Sequence, residues 1–358
     1  MNRTILYAMD GFPVLQNRVY ERAEDALHCS RGDIRLVQDP VTGIVCNISF
    51  DSDRIRYDEY YQNEQGHSQA FRDHLQATAG IIERHFSGMS ILEIGCGKGM
   101  FLEILRSRGF SITGVDPAYE GDSRYVVKDV FSPHLGISGD AIILRHVLEH
   151  IPDPLAFLRA VRNANGGKGL AYIEVPCLDW ILHHKAWFDI YYEHVNYFRL
   201  SDFPRFFDSI LESGRTFGGQ YLYVIADLST LRESPGKCFQ EVVFSDDFSE
   251  GIDRAAELMK TGGKRSFIIW GAASKGVIFS FLLFRKWNLT PNVVIDINPA
   301  KQGKYLPATA LPVLSPADGL AGMKSGDAVF IMNSRYFDEI KSLAGETLTY
   351  YRVDENEF

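Results

Sequence analysis

Ser90-Ile91-Leu92-Glu93-Ile94-Gly95-Cys96-Gly97-Lys98-Gly99-Met100-Phe101 reads as a short apolar strand, a glycine turn and the first turn of a helix. Leu92 and Ile94 suit a strand buried in a parallel sheet. Gly95, Gly97 and Gly99 permit tight backbone angles and let a ligand approach the main chain. The helix, expected over about Met100 to Arg108, carries Phe101, Leu102 and Leu105 at helical spacing and stops before Gly109. A dinucleotide fingerprint needs G-x-G-x-x-G. Here the third glycine comes one residue early, and Met100 stands where that fingerprint wants glycine. Glu93 lies two positions before the first glycine, so Glu93 to Gly99 reads E-x-G-x-G-x-G.

That order resembles motif I of the class I S-adenosylmethionine (SAM) methyltransferases. Strands and helices alternate downstream, as a parallel sheet requires. Ser111 to Asp116 is a second strand, and the Asp116 carboxylate at its end can accept bonds from both hydroxyls of a ribose. The same residue would otherwise be a cap before Pro117. Tyr125 to Phe131 puts Asp129 just past a third strand, where the resemblance implies a contact with the adenine amino group. A fourth strand, Ala141 to Leu144, leads into Arg145-His146-Val147-Leu148-Glu149-His150. His146 and His150 are four apart, but Glu149 is misplaced for H-E-x-x-H, so no metal is expected. A fifth strand, Leu170 to Val175, precedes a segment dense in aromatics, acids and one histidine, Trp187 to Phe198. Loops after the strands of an open parallel sheet line the ligand crevice. Tyr191, Glu193 and His194 can supply a phenol, a carboxylate and a base there; a helix with an aromatic core face is the plainer alternative.

At 358 residues the chain suggests two or three domains, and an apolar fraction of 46% is ample for their cores. A net charge of -9 argues against a nucleic-acid or anionic-membrane partner, leaving a small molecule as the expected substrate. The first ten residues lack the apolar core of a signal peptide. The longest apolar run, Val277 to Phe284, is too short to span a bilayer. Five scattered cysteines with no C-x-x-C pair suit a cytoplasmic location and argue against a cysteine zinc site.

The expected fold is α/β: a class I methyltransferase Rossmann-like sheet, a small N-terminal β unit and a second, C-terminal Rossmann-like domain. Residues 1–72 form the N-terminal unit, with a hairpin turning at Asp39 to Gly43 and a tyrosine-rich lid from Arg56 to Asn63. Residues 73–228 form the SAM-binding domain, with a helix from Ser201 and a strand from Gln220 to Ala226. Residues 229–264 connect to a domain over 265–358. That domain opens on Phe267 to Trp270, the turn Gly271-Ala272-Ala273-Ser274-Lys275-Gly276 and a strand ending at Asp296. Val277 follows Gly276, so the turn is no phosphate P-loop; substrate docking is favoured over a bound NAD.

Taken whole, the chain resembles the sugar C-methyltransferases that act on nucleotide-linked deoxysugars. The resemblance rests on Gly271 to Gly276, Asp296 to Pro307, Tyr191-x-Glu193-His194 and Arg145 to His150. It implies SAM as cofactor, held by Glu93, Gly95, Gly97, Gly99, Asp116, Asp129, Arg145 and His146, and a nucleotide sugar as substrate. It implies that His194 removes a proton beside a ketone, that Glu193 orients it, that Tyr191 donates to the enolate oxygen and that one of Tyr57, Tyr60 and Tyr61, with Tyr61 as the candidate, closes the site. Relatives carry an N-terminal zinc module, but Asp39 and Thr42 stand where its cysteines would be, so that zinc is expected to be lost. Two other readings stay open: an O-methyltransferase on a sugar or small hydroxylated metabolite, and a non-catalytic sugar-nucleotide binder.

Overall fold

The computed structural model describes residues 4–57, 60–263 and 265–357. Near the N-terminus, β1 (Ile5–Pro13) pairs antiparallel with β2 (Arg31–Gln38), which pairs with β3 (Val45–Asn47). The hairpin between β2 and β3 is tied by Asp39, whose Oδ1 accepts from the N–H of Val41 at 3.0 Å and of Thr42 at 2.8 Å. A short polar side chain thus closes the turn, with the geometry that makes Asp frequent in such loops. The sequence reading had two strands here. The sheet has four, because β1 and a strand from the far side of the central domain flank them.

The central domain starts with α1 (Gln69–Phe86), capped by Ser68. Then come β4 (Ser90–Ile94), α2 (Met100–Ser107), β5 (Ser111–Val115), β6 (Val126–Val127), β7 (Ala141–Arg145), α3 (Pro154–Ala164) and β8 (Leu170–Pro176). Next, β9 (Asn196–Tyr197) joins β3 as the fourth strand of the N-terminal sheet. The hairpin β10 (Ile210–Thr216) and β11 (Tyr221–Asp227) completes a seven-stranded sheet in the order β10-β11-β8-β7-β4-β5-β6. Only β11 runs against the others, antiparallel to both β8 and β10. The helix expected from Ser201 is one 3-10 segment, Leu200–Arg205, with Pro204 inside it. Proline lacks the N–H an α-helix needs, and side chains of β10 alternate between half-buried and exposed, the period of an edge strand.

After α4 (Glu250–Thr261) come β12 (Phe267–Trp270), α5 (Ser274–Trp287), β13 (Val293–Ile295), β14 (Val313–Leu314), β15 (Ala328–Ile331), α6 (Phe337–Ala344) and β16 (Thr349–Arg352). The five strands form a parallel sheet ordered β14-β13-β12-β15-β16. Phe279 of α5 stacks on Trp187 at 5.7 Å, so one apolar core runs from the central domain into the C-terminal one. The glycine turns after β4 and β12 therefore face the same space. Among the described residues no helix is long and apolar enough to cross a membrane.

Candidate functional site

Between the two α/β sheets lies a cavity of about 630 Å³, lined by both glycine turns, by the segment after β7 and by Asp189, Tyr191, Glu193 and His194. On the central side, Gly95, Gly97 and Gly99 all have positive φ, which a residue with a Cβ adopts only at a cost. Asp116 organises this turn: its Oδ2 accepts from the N–H of Gly97 and its Oδ1 from that of Ala118, each at 2.8 Å. A Cβ on Gly97 would meet nothing within 4 Å, so the turn borders open space. Glu93 is 2% exposed, and its Oε2 is buried with no hydrogen-bond partner. Burial, with Asp116 adding to it against the nearby Arg145, pushes the Glu93 carboxyl up to about 7.

Behind the turn, Glu174 gathers the charges of the strand ends. Arg145 Nε donates to it at 3.0 Å, and the guanidinium lies over the Phe101 ring. His146 has φ 54°, which swings its ring between Glu149 (3.3 Å) and Glu174 (3.5 Å). Burial works against the imidazolium, but the two carboxylates outweigh it and raise His146 to about 9. His146 is therefore a cation at neutral pH. On the same grounds Glu174 is held well below the usual carboxylate range: its burial is overcome by Arg145, His146 and His74.

The segment before β9 supplies the other groups. Burial, then the neighbouring His150 and His146, depress His194 well below the usual imidazole range, so it stays neutral. Its Nδ1 is buried and has no hydrogen-bond partner. The ring lies edge-on to Tyr191 at 4.6 Å and to His150 at 5.0 Å. Glu193 does not orient it. The Glu193 carboxylate accepts from the N–H of Gln16 and from the Tyr61 hydroxyl, each at 2.8 Å. Both side chains border the cavity but have different partners: Glu193 is bonded to the N-terminal unit, and the His194 ring packs on Tyr191 and His150. The Tyr191 hydroxyl donates to Asp189, so in this state its proton is engaged by a carboxylate at the cavity wall. Burial and that carboxylate raise the phenol well above its ordinary range.

Of the lid tyrosines, Tyr57 and Tyr61 line the cavity, with rings 4.7 Å apart; Tyr60 faces Arg18 and Lys304 instead. Asp58 and Glu59, in the same stretch, lie outside the described residues. Asp129 is not brought to the cavity. It is exposed, and its carboxylate accepts from the N–H of Val130 at 2.7 Å. The reason is that β6 is only two residues long; Val130 and Phe131, just beyond Asp129, line the cavity instead.

Residues 61–209 match the family model of a methyltransferase domain, and residues 246–349 match that of a C-methyltransferase C-terminal domain. The chain belongs to the class I SAM-dependent methyltransferases. The C-methyltransferase NovU of Streptomyces niveus is 30% identical over 135 residues, 34% of this chain and 32% of that protein. A ubiquinone biosynthesis O-methyltransferase of Idiomarina loihiensis is 30% identical over 109 residues, 25% of this chain and 45% of that protein. A SAM-dependent methyltransferase from Archaeoglobus fulgidus is similar in structure at a TM-score of 0.35 and 18% identity, over 43% of this chain and 94% of that one. The chain spans under half the length of the curated relatives it matches.

The residues present fit the cofactor of this methyltransferase fold. The orphaned Glu93 oxygen, the open space over Gly97 and the Asp116 carboxylate converge on one side of the cavity. A sulfonium cofactor is a cation, and Glu93 with Asp116 provides the opposite charge. One further set of groups stands in the methyltransferase site. Glu149, His150 and His194 each offer a ligand atom, all within 4.8 Å of one another. His150 Nδ1 faces the Glu193 carbonyl at 3.0 Å, the kind of bond that fixes a metal-binding imidazole. This set could hold a divalent ion, although the sequence reading expected none. Sequence reading also missed Gln16, Asp189 and Lys275. Asp189 and Lys275 stand in segments that were singled out. Gln16 carried no motif, because its role comes from a backbone N–H.

Proposed function

We propose that the chain transfers a methyl group from SAM to carbon, on a nucleotide-linked keto-deoxysugar. The observation that carries this reading is His194: a neutral imidazole with an unpartnered nitrogen, at a cavity shared by the cofactor turn and the C-terminal domain. Gly95 to Gly99, Asp116 and Glu93 would hold SAM, which supplies an electrophilic methyl when bound. A carbon becomes nucleophilic when a proton beside its ketone is removed. His194 takes that proton, and Tyr191 or Tyr61 hydrogen-bonds to the oxygen that gains charge. Arg145 and His146 offset the charges of Glu174 and Glu149 at the floor of the site. Glu193 holds the Tyr61 hydroxyl rather than the base, so its part is to place the lid. The C-terminal domain closes the far wall and docks the nucleotide. The similarity to NovU supports the C-methyl reading.

The test is proton exchange. In heavy water, with a keto-sugar nucleotide and a cofactor analogue that cannot give its methyl, deuterium should enter the carbon beside the ketone. His194→Asn keeps the shape but cannot accept a proton at neutral pH. Exchange should fall by about 10²–10⁴ while SAM binding survives. Full-rate exchange in His194→Asn would move the base elsewhere. Exchange abolished by a chelator would assign the chemistry to an ion at Glu149, His150 and His194. A methyl found on oxygen, with no exchange, would favour the O-methyl reading suggested by the similarity to the Idiomarina enzyme.

A further inference from the structure

Among the side chains by which the C-terminal domain meets the central one, Lys275 stands closest to the chemistry proposed for His194 and Tyr191. Lys275 is the second residue of α5, where a cation faces the positive end of the helix dipole. An opposing charge makes that position tolerable. Lys275 Nζ is 2.9 Å from Asp189 Oδ2 and donates to Gln220 Oε1, also at 2.9 Å. Gln220 is clamped by Asn333 through two hydrogen bonds of 3.0 and 2.9 Å, so the lysine is held by groups from both domains. Its ammonium lies over the rings of Trp180 and Phe188, 5.1 and 5.5 Å from their centroids. The lysine and the aspartate are 17% and 13% exposed, so water screens their attraction little.

The other oxygen of Asp189 accepts the Tyr191 hydroxyl, and the Tyr191 ring abuts His194. We propose that Lys275 is a positioning residue for Tyr191 in the reaction of the preceding subsection, acting through Asp189. The inference rests on that reaction. An unneutralised carboxylate at Asp189 would hold the phenol proton towards itself. It would also add a negative charge to a site already holding Glu149, Glu174 and Glu193. With Lys275 paired to Asp189, the carboxylate's pull weakens, and the Tyr191 hydroxyl can turn to the enolate oxygen as charge develops there. No bond to Tyr191 breaks: the carbon-bound proton goes to His194, and the phenol gives only a hydrogen bond. Because Lys275 comes from the C-terminal domain, the phenol is set only when the two domains are docked. The lysine is not a phosphate grip, since its ammonium is already shared between Asp189 and Gln220.

A double-mutant cycle on the full chain tests this. Lys275→Met, Asp189→Asn, the double variant and Lys275→Arg are assayed for deuterium exchange into a uridine-diphosphate 4-keto-6-deoxyhexose, and for SAM affinity by calorimetry. Lys275→Met should lower the maximal exchange rate by about 10–100-fold, as a misplaced catalytic group does, with KM and SAM affinity little changed. Lys275→Arg should restore most of the rate. The double variant should be no slower than Lys275→Met, because a lysine acting through Asp189 has nothing left to act on. A wild-type rate in Lys275→Met, or losses that simply add in the double variant, would overturn the proposal. If Lys275→Met loses SAM binding through misfolding, Lys275→Gln, which keeps a polar end but no charge, carries the test, and an unchanged rate there overturns it. Absence of exchange in the wild-type chain would overturn the reaction itself, which separates the two failures.

Discussion

Two glycine turns face each other across one cavity, built on the same plan and put to different uses. Each follows a central strand and opens a helix, and each is braced by an aspartate at the end of the next strand. Asp116 accepts from Gly97 at 2.8 Å, and Asp296 accepts from Ala272 at 2.7 Å. The difference lies in what occupies the space beyond the brace. At the first turn no described residue comes within 4 Å of a Cβ placed on Gly97, and Glu93 is left with an unpartnered oxygen. At the second, Lys301 is buried with its ammonium 3.8 Å from Asp296 and donates to the carbonyl of Ala272 at 3.0 Å. The chain's own cation stands where a ribose would approach. Helix α5 also sits tight against its turn: a Cβ on Gly276 would come within 1.9 Å of the Gly271 carbonyl oxygen. A shared topology therefore does not make a shared ligand, and the side chains at the turn decide.

The sharpest way to break this comparison is to put a methyl group into each turn. Gly276→Ala should destabilise the C-terminal domain by about 4 kcal/mol or more, because the clash is with backbone that cannot rotate away. Thermal unfolding that leaves its melting temperature unchanged would mean the second turn is looser than described. Acid–base linkage gives a smaller effect, and only at the first turn. With the Glu93 carboxyl at about 7, a bound cation favours its ionised form, so SAM binding should release a proton. The sign follows: affinity rises with pH below 7, by up to about tenfold per pH unit, and levels off above. Calorimetry in buffers of different ionisation enthalpy reads the proton directly, and Glu93→Gln should abolish the dependence. The smallest effect on stability is expected for Gly97→Ala. Its Cβ meets open space, so only the positive φ of 55° is penalised, at about 1–2 kcal/mol. The added methyl should nonetheless weaken SAM, since it enters the cofactor's side of the cavity.

Legibility from sequence followed the range of the interactions. The first turn could be read because everything that makes it, from Glu93 to Met100, is local. Asp116 was legible because a strand end puts it there. The edge strand β10 was not, since its half-buried alternation is stabilised by β11 and is crowded by Pro204 and the glycine pair that follows. β1 was missed for a similar reason: its partner β2 lies beyond a connecting helical turn. Adjacent letters also misled. Glu193 and His194 look like a base and its orienting acid, yet outside a helix their side chains take different partners, and Glu193 finds Gln16 and Tyr61 from far along the chain. Asp129 failed because a two-residue strand does not carry its neighbour into the crevice. Lys275 was in view as a letter of the second turn, but only the docking of the two domains shows that it meets Asp189.

One calorimetric experiment tests the central claim most directly. SAM and NAD are each titrated into the wild-type chain, Asp116→Ala and Asp296→Ala. The account predicts that SAM binds and NAD binds more weakly or not at all. It predicts that Asp116→Ala loses about 1.5–3 kcal/mol of SAM affinity, the worth of a hydrogen bond to a charged group. Asp296→Ala should bind SAM as the wild type does. Unchanged SAM affinity in Asp116→Ala, or NAD binding that Asp296→Ala removes, would contradict it.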